Sequence, residues 1–304
     1  MAATLQAHPH SIHEYSGLAH PPHLSRLESA SHKHAVVEPL SIDVPDRQDG
    51  FVPGFLHLPP DFFTSPPSHH QHQQQKTTLP PHHHRTAAIL LSGAGGGVTG
   101  PSGIYLSLAC KLASLGTGIP ALRLDYRYPA RTAQCVNDAK AGMQYLKDMY
   151  GLDRFVLVGW SFGGAVVFSV AGEDVRGVVG CATVASQTKD CEGIGRVKPR
   201  PVLLMHGTGD QTLGVGCSRR LWEWYGEGEE GDRRLEVFEG DNHALSQNAE
   251  RAEEMLCEFV ARCAGVRVGE EERRSVVGVE LVEDGERHGL MERGGDLRAP
   301  EHEE

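Results

Sequence analysis

The sequence predicts an α/β fold in which a mostly parallel sheet is covered by helices on both faces. From Thr86 onwards, short continuous apolar runs alternate with segments that have the period of a helix. Strands of a parallel sheet are buried on both faces and therefore read as unbroken apolar runs. Their regular alternation with helices is typical of a sheet that is sandwiched between two helical layers.

Six apolar runs have the length of buried strands. They are residues 87–91, 120–126, 155–159, 178–184, 201–206 and 235–238. Between and after them, the clearest helices are expected at 132–150 and 252–263. Each of these two has apolar residues three and four positions apart and a glycine, Gly151 or Gly265, within two residues after its end.

The regions outside this pattern suggest how the chain is divided. Residues 1–33 and an insertion at 64–85 are rich in His, Pro and Gln, a composition that cannot bury a core and is expected to be disordered. Between them, 34–44 and 51–58 read as a hairpin. We therefore expect a single domain over 34–264, followed by an acidic tail, 265–304, that is mobile or loosely docked.

Composition excludes several classes of function. The formal net charge of the 304 residues is −11, and no cluster of Lys and Arg is present that could pair with phosphates, which argues against nucleic-acid binding. No run of about 18 apolar residues could span a membrane. Seven cysteines without CxxC spacing, and an N-terminal region without a basic and then apolar leader, predict a reducing, cytoplasmic location.

The strongest chemical motif lies at Ser161. The segment Gly-Trp-Ser-Phe-Gly-Gly at 159–164 follows the apolar run that ends at Val158 and opens a helical segment. A Gly-x-Ser-x-Gly turn between a strand and a helix holds its serine in a strained conformation, with the hydroxyl exposed above the sheet. The helix N-terminus beneath it favours developing negative charge, which suits a nucleophile that attacks a carbonyl.

A serine nucleophile needs a base, and the base needs an orienting acid. Asp210 follows the strand at 201–206, and His243 lies between the last strand and the last helix. Asp241 is a second possible acid, but it is two residues from His243 and would have to fold back upon it, so Asp210 is favoured. The order Ser161, Asp210, His243 places each group after the C-terminal end of a strand.

An oxyanion formed at this serine needs two N–H donors. One is the amide of Phe162, and the other is expected from Ala94 or Gly95 in the glycine-rich loop after strand 87–91. The same loop satisfies G-x-G-x-x-G at 95–100, and with Asp125 it could instead form a dinucleotide site. That alternative explains neither the serine turn nor the placement of the acid and the histidine.

Histidine clusters in the insertion offer another possible site. They comprise His69, His70, His72 and residues 82–84. Clusters without ordered geometry bind metals adventitiously, so no functional metal is expected.

These motifs together resemble the α/β-hydrolase family, and within it the compact dienelactone-hydrolase-like branch, which includes plant and fungal members. The resemblance covers about residues 34–264. It rests on the segments 93–97, 124–127, 159–164, 206–210 and 241–243. It implies an eight-stranded sheet, no cofactor and hydrolysis through an acyl-enzyme.

Two positions depart from the family pattern. Many relatives carry His-Gly where this chain has Ser92 and Gly93, and dienelactone hydrolases use a cysteine where this chain has Ser161. The particular lactone that those enzymes cleave is therefore not implied.

The segment between the strands at 178–184 and 201–206 is too short for the multi-helix lid of many lipases. A minimal lid favours a small ester, thioester or lactone, cleaved by a carboxylic ester hydrolase of class EC 3.1. Trp160, Ser186 and Gln187 are expected near the mouth of the site as substrate contacts. The alternative is a catalytically silent scaffold that binds partners, since a fold does not prove an activity.

Overall fold

The structure is a computed structural model that describes residues 11–27, 35–46, 50–62, 85–127, 130–173, 177–227 and 233–299. The histidine clusters, the first ten residues and most of the 64–85 insertion lie outside the described residues. The three residues of the candidate triad, Ser161, Asp210 and His243, all lie within them.

An eight-stranded sheet forms the centre of the molecule, as the resemblance implied. Its strands are β1 (Val36–Asp43), β2 (Phe51–Leu58), β3 (Thr86–Leu91), β4 (Ala121–Leu124), β5 (Arg154–Trp160), β6 (Val178–Val184), β7 (Val202–Gly207) and β8 (Arg233–Phe238). The spatial order is β1-β2-β4-β3-β5-β6-β7-β8. The pairs β1–β2 and β2–β4 are antiparallel, and all others are parallel. The mostly parallel α/β fold is thus confirmed.

Helices cover both faces of this sheet. They are α1 (Ile104–Ser114), α2 (Thr132–Tyr150), α3 (Gly163–Gly172), α4 (Gly216–Tyr225), α5 (Ala249–Ala264) and α6 (Asp284–Gly294). Short helical turns occur at Ile12–Leu18, Pro22–Ser25, Pro101–Gly103, Glu192–Arg196, Glu270–Glu272 and Arg273–Val277. The helices expected at 132–150 and 252–263 are present, and Gly151 and Gly265 end them with φ of 70° and 76°.

Two apolar cores lie on opposite faces of the sheet because successive strand side chains point in opposite directions. In β3, Ala88 and Leu90 belong to the core beneath α1 and α5, whereas Ala87, Ile89 and Leu91 belong to the core beneath α2 and α3. Burial on both faces is the physical reason that the strands could be recognised as unbroken apolar runs.

The two flanking regions differ from what their composition suggested. Residues 11–27 pack on the first core through five buried side chains, namely Ile12, Tyr15, Leu18, Leu24 and Leu27. The acidic tail packs on the same core through Val276, Val277, Leu281, Val282, Leu290 and Met291. The expectation of disorder is therefore wrong for 11–27, and that of a loosely docked tail is wrong for 276–291. The expected domain boundaries, between residues 33 and 34 and between residues 264 and 265, stay a prediction.

Between β6 and β7 the chain forms only the short turn Glu192–Arg196, so the expected minimal lid is confirmed. None of the seven cysteines, all of which lie in the described residues, forms a disulfide, and five of them are buried. No helix in the described ranges is long and apolar enough to cross a membrane.

Candidate active site

The candidate nucleophile, Ser161, follows β5 directly in the strained turn that the motif predicted. Its φ is 53°, a left-handed conformation that costs a residue with a Cβ about 1 kcal/mol or more. Its N–H donates to the carbonyl of Val184 at 2.9 Å, and its carbonyl accepts from the N–H of Gly164 at 3.2 Å. The turn is therefore held between the end of β6 and the start of α3.

Glycines flank this turn because other residues would not fit. A Cβ on Gly159 would lie 2.5 Å from the carbonyl group of Gly163. A Cβ on Gly163 would lie 2.5 Å from the carbonyl oxygen of Ser92 and 2.6 Å from that of Leu91. The α3 N-terminus thus lies directly against the end of β3, where the glycine-rich loop begins.

Asp210 and His243 meet at the same edge of the sheet. The Nδ1 of His243 lies 2.7 Å from Oδ2 of Asp210, and both side chains are almost fully buried. A buried carboxylate at this distance fixes the ring orientation and the Nδ1–H tautomer. Of the two possible acids, the structure therefore pairs Asp210 with the histidine.

Asp241, the other possible acid, has a different place. Its carboxylate is fully buried and accepts from the amides of Asn242 at 2.9 Å and Gln247 at 3.1 Å, and from the side chain of Asn248 at 2.8 Å. These bonds shape the loop that carries His243.

His206 is a contact of the acid that was not expected from the sequence. Its Nε2 lies 2.6 Å from the carbonyl oxygen of Leu213 and 3.1 Å from Oδ2 of Asp210, and its Nδ1 lies 2.7 Å from Oγ of Ser218. Because Nε2 faces two acceptors, it carries the proton, and Nδ1 accepts from the serine hydroxyl. The one sequence signal for this contact was that His206 lies four residues before Asp210, at the end of the strand that leads to it.

The environment of Asp210 favours its ionised form. Burial acts to raise the pKa of this carboxyl, but hydrogen bonds from His206 and His243, the charge of His243 and the amide of Leu213 outweigh it. The pKa of Asp210 is held well below its usual range. A permanently ionised acid can stabilise an imidazolium on the adjacent histidine.

Trp160 packs against the candidate base, His243. Its side chain is fully buried, and its indole Nε1–H donates to the carbonyl of His243 at 3.0 Å. The two rings pack with centroids 5.5 Å apart. The indole thus joins the strand before the nucleophile to the histidine loop, and the expected role of Trp160 as a substrate contact stays a prediction.

Ser186 and Gln187 lie beside the serine turn. Ser186 is fully buried, with Oγ donating to the carbonyl of Gln187 at 2.9 Å, and a Cβ on Gly164 would overlap its side chain. The amide of Gln187 lies 3.4 Å from the carbonyl oxygen of Ser161, and its side chain is half-buried. Of the two, Gln187 is the better placed to reach a ligand, and its role as a substrate contact stays a prediction.

The glycine-rich loop bends back on itself beside the turn. Gly93 and Gly96 form a bridge in which the N–H of Gly96 donates to the carbonyl of Gly93 at 3.0 Å. Ala94 and Gly95 are thus at the tip. The ring of Phe162, the other expected oxyanion donor, packs edge-on against Tyr126, with centroids 5.9 Å apart.

The dinucleotide alternative requires an available Asp125 and an open loop. Asp125 is instead fully buried, and its carboxylate accepts from the amides of Gly97 at 2.7 Å and Tyr126 at 2.8 Å and from the hydroxyl of Tyr15 at 2.5 Å. The side chain of Asp296 occupies the loop itself. The carboxylate expected to bind a ribose and the loop amides expected to bind a pyrophosphate are thus both bonded to other groups of the protein.

A family model described as the alpha/beta hydrolase fold matches residues 51–221, which is more than half of the chain. The chain belongs to the α/β-hydrolase fold family. No curated protein matches the sequence of this α/β-hydrolase.

Solved structures with the same fold include several named as hydrolases. Est1E from Butyrivibrio proteoclasticus is 16% identical with a TM-score of 0.56, over 75% of this chain and 99% of its own. Dienelactone hydrolase from Anabaena variabilis is 14% identical with a TM-score of 0.57, over 75% and 98%. XC6422 from Xanthomonas campestris, titled a serine hydrolase without a lid, is 16% identical with a TM-score of 0.52, over 74% and 94%. The expected likeness to dienelactone hydrolase is confirmed at the level of the fold.

Proposed function

We propose that this α/β-hydrolase is a serine hydrolase that cleaves a small ester, thioester or lactone through an acyl-enzyme on Ser161. The observation that carries the proposal is the buried pair of His243 and Asp210, at 2.7 Å, on the same sheet edge as the strained serine turn. The hydrolase names of two structures with the same fold support the class of reaction.

In the first half of the reaction, Nε2 of His243 takes the hydroxyl proton of Ser161 as Oγ bonds to the carbonyl carbon of the substrate. The carboxylate of Asp210 accepts a hydrogen bond from Nδ1–H of His243, so that this proton stays on the ring, and it stabilises the imidazolium. The oxyanion accepts hydrogen bonds from the amides of Phe162 and of Ala94 or Gly95. His243 then gives its proton to the departing alcohol, thiol or hydroxyl, and the acyl-enzyme remains.

In the second half, His243 takes a proton from water, and the resulting hydroxide attacks the acyl carbon. The tetrahedral intermediate collapses as the imidazolium returns the proton to Oγ of Ser161, which releases the acid. The short segment between β6 and β7 supports small substrates, because it contributes one helical turn and no multi-helix cover.

Labelling with a fluorophosphonate probe, followed by mass spectrometry of the adduct, tests the proposal. Ser161→Ala abolishes labelling and His243→Ala lowers its rate at least about 10³-fold, because an activated serine depends on its base. Ser169→Ala is the matched control, since this serine lies in α3 and its Oγ donates to the carbonyl of Asp190 at 3.0 Å. A folded parent protein that does not react would favour the scaffold alternative, and an adduct on another serine would show that the site is misplaced.

A further inference from the structure

One loop, residues 92–103, touches both halves of the candidate active site. At its start, the carbonyl of Ser92 lies against Gly163 of the serine turn, where a Cβ would come within 2.5 Å. At its end, the hydroxyl of Ser102 donates at 2.9 Å to the carbonyl of Ala244, the residue after the candidate base. The two candidate oxyanion donors at the tip lie between these anchors. In the proposed mechanism, the position of this loop therefore determines where the second oxyanion donor lies.

A single carboxylate from the acidic tail holds the two ends of the loop's glycine-rich part. Oδ1 of Asp296 accepts from the amide of Gly100 at 2.7 Å and from the hydroxyl of Ser92. Oδ2 accepts from the amide of Thr99 at 3.0 Å and from its hydroxyl at 2.6 Å. Asp296 is fully buried, so these four hydrogen bonds take the place of the water that would solvate an exposed carboxylate.

The rest of the tail supports the same loop. The backbone of Arg298 lies against Gly95, and its guanidinium reaches the carbonyl of Gly95 at 3.4 Å and the carboxylate of Asp125 at 3.3 Å. From α6, Arg287 donates to the carbonyl of Ser102 at 3.1 Å. The loop is thus contacted by the tail at its start, its tip and its end.

We infer that Asp296 is a positioning residue of the active site, which fixes the loop 92–103 so that an amide at its tip faces the oxyanion. The inference rests on the proposed serine hydrolase function and adds a residue to it that lies outside the matched family region, 51–221. Donors that are already in place stabilise a developing charge without reorganisation, and an error of about 1 Å in their placement costs on the order of 10²-fold in rate.

The test compares Asp296→Asn with Glu292→Gln, an exposed acid four residues earlier in the same tail. Hydrolysis of p-nitrophenyl acetate is measured at pH 8, with hydrogen–deuterium exchange of the Thr99 and Gly100 amides and thermal unfolding. For Asp296→Asn, the new amide group faces N–H donors, and kcat falls about 10–100-fold while KM stays within about threefold. Exchange at the two amides accelerates, and Glu292→Gln changes neither quantity by more than about twofold.

If Asp296→Asn fails to fold, Ser92→Ala provides a second test of the same inference. It removes one donor to the carboxylate and lowers kcat about 3–10-fold with KM unchanged. An unchanged kcat in a folded Asp296→Asn, or a rise in KM alone, would overturn the inference. A parent protein that neither hydrolyses the ester nor reacts at Ser161 would instead refute the proposed function, and the exchange rates would still report whether Asp296 orders the loop.

Discussion

The carboxylate of Asp210 is fixed by donors from three different parts of the chain. His243 approaches from the loop after β8, His206 from the end of β7, and the amide of Leu213 from the loop that Asp210 itself begins. An acid held in this way has no freedom to rotate away from the histidine it orients. The hydrogen bond from His206 acts with that from His243 to lower the pKa of Asp210 against the effect of burial.

We expect His206→Ala to lower the free energy of unfolding by about 2–4 kcal/mol. It leaves a cavity and removes the buried partner of Leu213 and Ser218. Asp210 also loses one of its donors, so kcat for ester hydrolysis falls about tenfold. Urea unfolding and initial rates measure the two effects. The matched control is the exposed His13→Ala, and equal stability of the two variants would contradict the prediction.

At the scale of elements, the sequence predicted those strands and helices whose own residues show which face is buried. The strands β3 and β5 to β8 were located within two residues, and the helices at 132–150 and 252–263 within three, because each buries a face that its own sequence displays. The residues of the candidate triad follow from the same strands, since each lies in the segment that comes after one of them.

The interactions that the sequence did not reveal are long-range or have an unusual period. Asp296 meets Ser92 across 204 residues, and no local pattern announces such a pair. The segment at 11–27 did carry a signal, because Ile12, Tyr15 and Leu18 are three residues apart, the period of the 3₁₀ helix that they form. The surrounding histidines and prolines concealed this period.

The tail after α6 should make stability depend on pH. Burial raises the pKa of Asp296 to about 7, opposed by hydrogen bonds from Ser92, Thr99 and Gly100, whereas in the unfolded chain an aspartate has a pKa of about 4. A raised folded-state pKa contributes stability that is complete below about pH 4 and is lost as the pH rises through about 7. We therefore expect the free energy of unfolding of the parent, relative to Asp296→Asn, to be lower at pH 8 than at pH 5. Urea unfolding at both values checks this, and a difference that is the same at both would contradict it.

At the scale of the whole molecule, segments far apart in the chain join the core beneath α1 and α5. Arg123, fully buried in β4, donates to the carbonyl of Leu18 at 2.7 Å and to that of Val98 at 3.0 Å. Tyr15 and Arg298 both bind Asp125. The N-terminal segment, the glycine-rich loop and the tail are thus joined through buried polar contacts.

Residues 11–27 should therefore contribute to global stability despite their composition. Leu24 is only 1% exposed, and we expect Leu24→Ala to lower the free energy of unfolding by about 2–4 kcal/mol. Val36→Ala serves as the control, since that side chain is 44% exposed and should lose less than about 1 kcal/mol. Thermal and urea unfolding measure both. Equal losses would mean that the segment is not part of the cooperative core.

The contact between Ser92 and Asp296 also has a consequence for biosynthesis. A ribosome makes the loop first and reaches Asp296 204 residues later, which at about 5–20 residues per second takes on the order of 10–40 s. During that interval Ser161, Asp210 and His243 are all synthesised, while the carboxylate that ties the loop is still missing. If the chain is the serine hydrolase proposed above, the nascent chain would carry every reacting group and yet hydrolyse slowly, and full activity would appear only when the tail docks.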